Sequence, residues 1–185
     1  MFFHEVKKND EKQKEKTKRK QKENDRIIMK KQKIYLETSV FGRYFEADRI
    51  DHADTTALFE ACAAGRFEPY TSYYVIRELK KASSEKRNQR LELINSYNIS
   101  ILNISDEAEY LALRYISEGA LPKHSLIDAI HIAVASINEP DIIVSLNFRH
   151  IVREKTIKLV NTINMALGYK TMEIQSPAEA MKNEK

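Results

Sequence analysis

The chain has 185 residues, 42% of them hydrophobic and 31% charged, which is enough for one domain with a sizeable core. Its single cysteine, Cys62, excludes an intramolecular disulfide and a cysteine-based zinc cluster, and no apolar run approaches the ~18 residues of a membrane span. The net charge of +4 belongs to one end: residues 1–31 hold 12 Lys/Arg against 6 Asp/Glu, leaving 19 against 21 for residues 32–185, so the body has no excess of basic charge with which to grip a polyanion.

Residues 7–24 are almost entirely Lys, Glu, Gln, Asn, Asp, Arg and Thr. Such a stretch buries too little apolar surface to offset its ordering entropy, so residues 1–31 are expected to form a basic, disordered N-terminal extension. A basic arm of this kind adds salt-sensitive RNA affinity. Met29, four residues before the first strand, is an alternative start that would make the first 28 residues an upstream extension. No apolar signal-peptide core follows Met1, and the expected location is cytoplasmic.

The apolar run Lys33-Ile34-Tyr35-Leu36 predicts a buried strand, with Glu37 at its carboxyl end before a turn at Phe41-Gly42-Arg43-Tyr44. In an open α/β sheet that edge is where ligands bind. Residues 53–64 have helical spacing and stop at Gly65; Cys62 falls within their apolar face as a small core residue. Residues 67–71 make at most a short strand, since Pro69 cannot donate to an interior ladder. A helix over 73–79 follows, with Val75, Glu78 and Leu79 on one face; an acid there needs a partner, a metal or a rim position. The polar run 80–87 leads to an amphipathic helix over 88–97, a period-2 strand over 99–104 and a helix that Ser105 and Asp106 open and Gly119 closes.

Next, Leu126 to Ala135 reads as a buried, alanine-bearing helix with Asp128 in its first turn, where Ser125-x-x-Asp128 approximates a capping box. In the same helix, His131 reads as a packed or hydrogen-bonded residue. Ile142-Ile143-Val144-Ser145 has the continuous apolar character of a strand buried on both faces, and Asn147-Phe148-Arg149-His150 follows on the ligand-facing edge. A helix over 156–167, stopped by Gly168, and a tail through Glu179 close the chain. Apolar strands separated by helices, without hairpin signals, predict an α/β domain over residues 32–180 with a central, mainly parallel sheet, leaving 181–185 as a tail.

The pattern therefore places Glu37 after the first strand, Glu78 on an inward helix face, Asp128 at a helix start and Asn147 after the last parallel strand. Oxygen donors at one sheet edge, without Cys and without a tight His pair, suit a hard cation such as Mg²⁺ or Mn²⁺. A metal also relieves the repulsion among gathered carboxylates. Paired cations of this kind activate water and stabilise both oxygens of an in-line phosphoryl displacement, which is the chemistry of phosphodiester hydrolysis.

These residues resemble the PIN domains, in particular the VapC-type toxin ribonucleases. The likeness covers roughly residues 33–179. It rests on Ile34-Tyr35-Leu36-Glu37-Thr38-Ser39-Val40, Arg77-Glu78-Leu79, Asp128-Ala129-Ile130-His131-Ile132-Ala133 and Ile143-Val144-Ser145-Leu146-Asn147-Phe148-Arg149-His150, with Gly168-Tyr169-Lys170-Thr171 and Ser176-Pro177-Ala178-Glu179 near the end. The resemblance implies a three-layer α/β/α sandwich and an endoribonuclease that depends on Mg²⁺ or Mn²⁺. It assigns the catalytic and metal-binding site to Glu37, Glu78, Asp128 and Asn147, with Thr38 and Ser145 as hydroxyls that orient the ligands. Two positions depart from the family pattern. Glu37 stands where Asp is usual, about 1.5 Å longer in reach, and Asn147 offers a neutral carbonyl oxygen where Asp is common.

Two functions from different classes follow. The first is a metal-dependent endoribonuclease, the toxin of a type II toxin–antitoxin pair, with RNA as substrate, a small antitoxin as partner and a homodimer as its assembly. In it Arg149 and His150 are candidates for touching RNA phosphate, and Lys80, Lys81, Lys86 and Arg87 form either a guiding rim or a solvated surface. The alternative is a weakened PIN-like module that binds RNA or a protein partner without cleavage, a reading that Glu37 and Asn147 keep open. A third, a doubly wound nucleotide-binding domain, lacks the Gly-rich phosphate loop it would need; the chain has only four glycines.

Overall fold

The computed structural model describes residues 31–182, and it carries no helix long and apolar enough to cross a membrane. The expected basic extension falls outside the described residues apart from Lys31, as do residues 183–185 of the tail.

Strand β1 (Gln32–Leu36) runs through the centre of the sheet with Ile34, Tyr35 and Leu36 fully buried. Complete burial of such side chains is worth roughly 1.5–3 kcal/mol each, so this strand is an anchor of the core. The chain then enters a short helix, α1 (Thr38–Arg43), where the sequence pattern predicts only a turn. The reason is local: Glu37 has extended backbone and its carboxylate accepts the Ser39 N–H, which starts the helix, while Val40 and Phe41 bury its inner face.

Helix α2 (His52–Ala63) ends at Gly65, whose φ of 73° is readily available to glycine. It is followed by strand β2 (Phe67–Ser72), helix α3 (Tyr73–Leu79), helix α4 (Ser84–Ser96), strand β3 (Ser100–Leu102) and helix α5 (Asp106–Ser117). Helix α4 thus takes in part of the polar run expected to be a connection. Next come helix α6 (Leu126–Asn138), strand β4 (Ile142–Val144) and helix α7 (Glu154–Leu167). In place of a simple tail the chain adds strand β5 (Glu173–Gln175) and helix α8 (Pro177–Lys182). Ser176 and Glu179 form the cap of α8 reciprocally: the Ser176 N–H and hydroxyl donate to Glu179 Oε2 at 2.7 and 2.8 Å, and the Glu179 N–H donates to Ser176 Oγ at 3.3 Å.

The sheet order is β3-β2-β1-β4-β5, and every neighbouring pair is parallel. Although it contains Pro69, β2 is an interior strand. Its pairing with β3 begins only at Tyr70, one residue beyond the proline, so the missing N–H costs that ladder nothing. Helices cover both faces in a three-layer α/β/α sandwich: α5 packs on α6 and α7, while α1 packs on α2, α3 and α4, and α8 on α2. Tyr115, Ser136 and Asn164 tie α5, α6 and α7 together through buried hydrogen bonds of 2.5–3.1 Å, which satisfies polar groups that would otherwise weaken the core.

Strands β2 and β3 add to one side of β1, and β4 and β5 to the other. The order of addition therefore reverses between β1 and β4, and the crevice at their carboxyl ends is where this class of sheet binds ligands.

Candidate metal centre

Glu37 and Ser145 meet at that crevice because β1 and β4 end side by side, with the Glu37 N–H donating to Val144 O at 3.1 Å. Glu37 is 6% exposed and its Oε2 accepts from Ser39 N at 3.2 Å, Ser39 Oγ at 2.5 Å and Ser145 Oγ at 2.8 Å. Ser39 Oγ in turn accepts from Leu146 N at 2.9 Å, and Ser145 Oγ from Asn147 N at 3.0 Å. These bonds lock the carboxylate to the ends of both strands.

Glu78 comes from α3, which begins directly after β2 and so delivers its last turn to the same edge. Its Oε2 accepts from Thr38 Oγ1 and from His131 Nε2, the latter at 2.8 Å. Helix α6 supplies His131, fully buried, whose Nδ1 meets Tyr35 OH at 2.8 Å; Tyr35 OH also meets Ser72 Oγ at 2.8 Å. Burial holds the Tyr35 phenol far above its ordinary pKa, so it is neutral. Burial pushes both His131 and Glu78 toward their uncharged forms. Their mutual hydrogen bond and the nearby charges outweigh it, raising the His131 pKa and lowering that of Glu78, as expected of an ion pair. Thr38 also donates to Glu78, and Lys81 lies close enough to favour its charge.

One ligand atom from each of Glu37, Glu78 and His131 lies within 4.8 Å of the others. Two carboxylate oxygens and an imidazole nitrogen at this separation fit the first shell of a divalent cation. Asp128 and Asn147 form a second, adjoining group. Asn147 Nδ2 donates to Asp128 Oδ1 at 2.9 Å, Asn147 Oδ1 accepts from His150 N at 3.1 Å, and His150 Nδ1 lies 4.0 Å from Asp128 Oδ2. Asp128 is half-buried one turn before His131 on α6, and its charge reaches the imidazole. Of the three acids and one amide expected from the sequence, Glu37 and Glu78 thus converge with His131, while Asp128 and Asn147 form a separate pair joined to Glu37 through the Ser145 hydroxyl. Ser125 makes no capping bond; its hydroxyl meets His150 Nδ1 at 2.7 Å instead. Arg149 is exposed beside this group.

His131, Tyr35 and Ser39 are the contributors that sequence reasoning leaves out of the site. For His131 the signal was present: Asp128-x-x-His131 puts both side chains on one face of a helix.

The sequence matches the family model for the PIN domain over residues 34–152, a span that begins in β1 and ends beyond β4, and therefore includes Glu37, Glu78, Asp128 and Asn147. The chain belongs to the PIN domain family. No curated protein matches this PIN chain. Among solved structures it is similar to VapC20 of Mycobacterium tuberculosis, described as a sarcin-ricin loop cleaving toxin, with 16% identity, a TM-score of 0.48 and coverage of 60% of this chain and 86% of that one. It is also similar to VapBC2 of Rickettsia felis, solved with a DNA fragment from the promoter, with 12% identity, a TM-score of 0.49 and coverage of 78% and 98%.

Proposed function

We propose that this PIN domain is a divalent-metal-dependent endoribonuclease and the toxin of a toxin–antitoxin pair, acting as a homodimer restrained by a small antitoxin. The observation that carries the reading is the convergence of Glu37, Glu78 and His131 within 4.8 Å at the sheet's switch point, with Asp128 and Asn147 alongside. Glu37, Glu78 and Asp128 would hold Mg²⁺ or Mn²⁺, with His131 or Asn147 completing the set. Such a cation supplies Lewis-acid charge for displacement at an RNA phosphorus. The chain's own residues do the rest. Ser39 and Ser145 fix Glu37, Thr38 and His131 fix Glu78, and Asn147 fixes Asp128, so the donors are oriented before substrate arrives.

The test is cleavage of structured RNA by the purified protein, with Glu78→Gln, Asp128→Asn and EDTA as controls. Loss of cleavage in all three supports the proposal; cleavage that survives them overturns it.

A second reading, an RNA- or protein-binding module without turnover, is favoured by one feature. Glu37 Oε2 already accepts three hydrogen bonds, one of them the cap of α1, so the carboxylate has a structural task of its own. Specific RNA binding with no metal-dependent turnover would select this reading.

A further inference from the structure

Beside the Asp128–Asn147 pair, a cavity of about 460 Å³ opens between the loop that follows α5 and the start of α7. Lys123, Arg149, His150, Arg153 and Lys155 line it, and no carboxylate does. This is a marked local concentration, because acids outnumber bases 21 to 19 over residues 32–185. Lys123, Arg149, Arg153 and Lys155 are exposed, and among the described residues none of them has an ion-pair partner. Four uncompensated cations around one concavity focus a positive potential there.

The backbone adds to it. Arg153 is the N-cap of the 14-residue helix α7 and makes no side-chain capping bond, so the positive end of that helix lies at the cavity with Glu154 as the acid of its first turn. Thr156 Oγ1 donates to Ala120 O at 3.3 Å and holds that helix end against the opposite wall. The site is thus a built concavity and more than a run of surface charge.

His150 joins the cavity to the metal centre. It lines the cavity, while its backbone N–H donates to Asn147 Oδ1 at 3.1 Å and its Nδ1 lies 4.0 Å from Asp128 Oδ2. A cluster of carboxylates by itself repels a polyanion, and a basic cavity joined to it through His150 compensates for that.

We propose that this cavity is a phosphate-binding subsite for the RNA strand, in which Lys123, Arg149, Arg153 and Lys155 hold the backbone next to the phosphate that is cut. The subsite rests on the nuclease reading for its substrate, but its binding can be measured without turnover.

The experiment uses the full-length chain carrying Asp128→Asn, with and without Lys123→Ala, Arg153→Ala and Lys155→Ala together, titrated with a fluorescein-labelled single-stranded oligoribonucleotide over a range of KCl concentrations. Residues 1–31 are the same in both proteins, so their contribution cancels in the difference. Removing three phosphate contacts lowers the slope of log K against log [KCl] by about 2 and weakens binding at low salt at least tenfold. A second variant, Lys123→Arg with Arg153→Lys and Lys155→Arg, keeps the charge and retains the slope. An unchanged slope in the alanine variant overturns the subsite. So does loss of binding to a polyglutamate peptide with RNA binding intact, which would assign the cavity to an acidic protein. Cleavage by the wild-type chain is measured separately: its absence sinks the nuclease reading and leaves the slope comparison to decide the subsite.

Discussion

His131 Nε2 lies 2.8 Å from Glu78 Oε2, and the imidazole that makes this bond is completely buried. The raised His131 pKa means its stabilisation is fully present below the ordinary value of 6.5 and is lost as pH rises through the folded value. The lowered Glu78 pKa means its contribution is present above the ordinary 4.5 and is lost as pH falls through the folded value. Stability from this pair therefore peaks between those limits. In His131→Gln, a neutral donor replaces the titrating one, so the alkaline loss should disappear from urea midpoints measured across pH. Because His131 fixes a proposed ligand, the same variant should lose roughly 10–100-fold in RNA cleavage.

A cation that takes His131 Nε2 as a ligand must displace its proton. Binding to the wild-type chain should therefore release protons and tighten as pH rises, while His131→Gln shows a weaker pH dependence. An imidazole in the donor set also favours Mn²⁺ over Mg²⁺. Calorimetric titration in buffers of different ionisation enthalpy checks both points. At a metal concentration about 100 times Kd, the folded state gains about 2.7 kcal/mol. The thermal midpoint of the wild-type chain should rise accordingly, and that of Glu78→Gln should stay nearly unmoved.

Glu139, the residue that ends α6, has φ 53° and ψ 41°, a left-handed conformation that costs a residue with a Cβ roughly 1–2 kcal/mol. Glycine relieves that strain and gives back part of the gain as extra freedom in the unfolded chain. Glu139→Gly should stabilise the fold by about 1 kcal/mol in urea denaturation.

The strands that position the site were legible because they are short, continuous apolar runs: Ile34 to Leu36 in β1 and Ile142 to Val144 in β4 admit few other readings. Strand β5 was not, since Ile174 is the sole apolar residue of its three and only pairing with β4 makes it a strand. Helix α8 had a local signal in Ser176-Pro177-Ala178-Glu179, a capping box with proline at the first helical position, but its six residues carry little periodicity. The acids could be placed at one edge from topology alone. The role of His131 could not, because its partners Tyr35 and Glu78 lie 96 and 53 residues away in the chain and only the packing of α6 brings them to its two nitrogens.

The length of Glu37 is the point at which capping and metal binding can be separated. Aspartate is a good helix cap, so Glu37→Asp should keep α1 capped and lose only the bond to Ser145, lowering stability by about 1 kcal/mol. Its carboxylate, however, withdraws by about 1.5 Å, away from donors set at 2.5 Å by Ser39 Oγ and 2.8 Å by Ser145 Oγ. Errors near 1 Å cost on the order of 10²-fold where geometry is tight, so RNA cleavage by Glu37→Asp should fall steeply while the protein remains folded. Steady-state cleavage beside urea unfolding of the same preparation checks this. A gain in activity would mean that the serines hold the longer side chain out of reach of the metal, and that the wild-type centre is a weakened one.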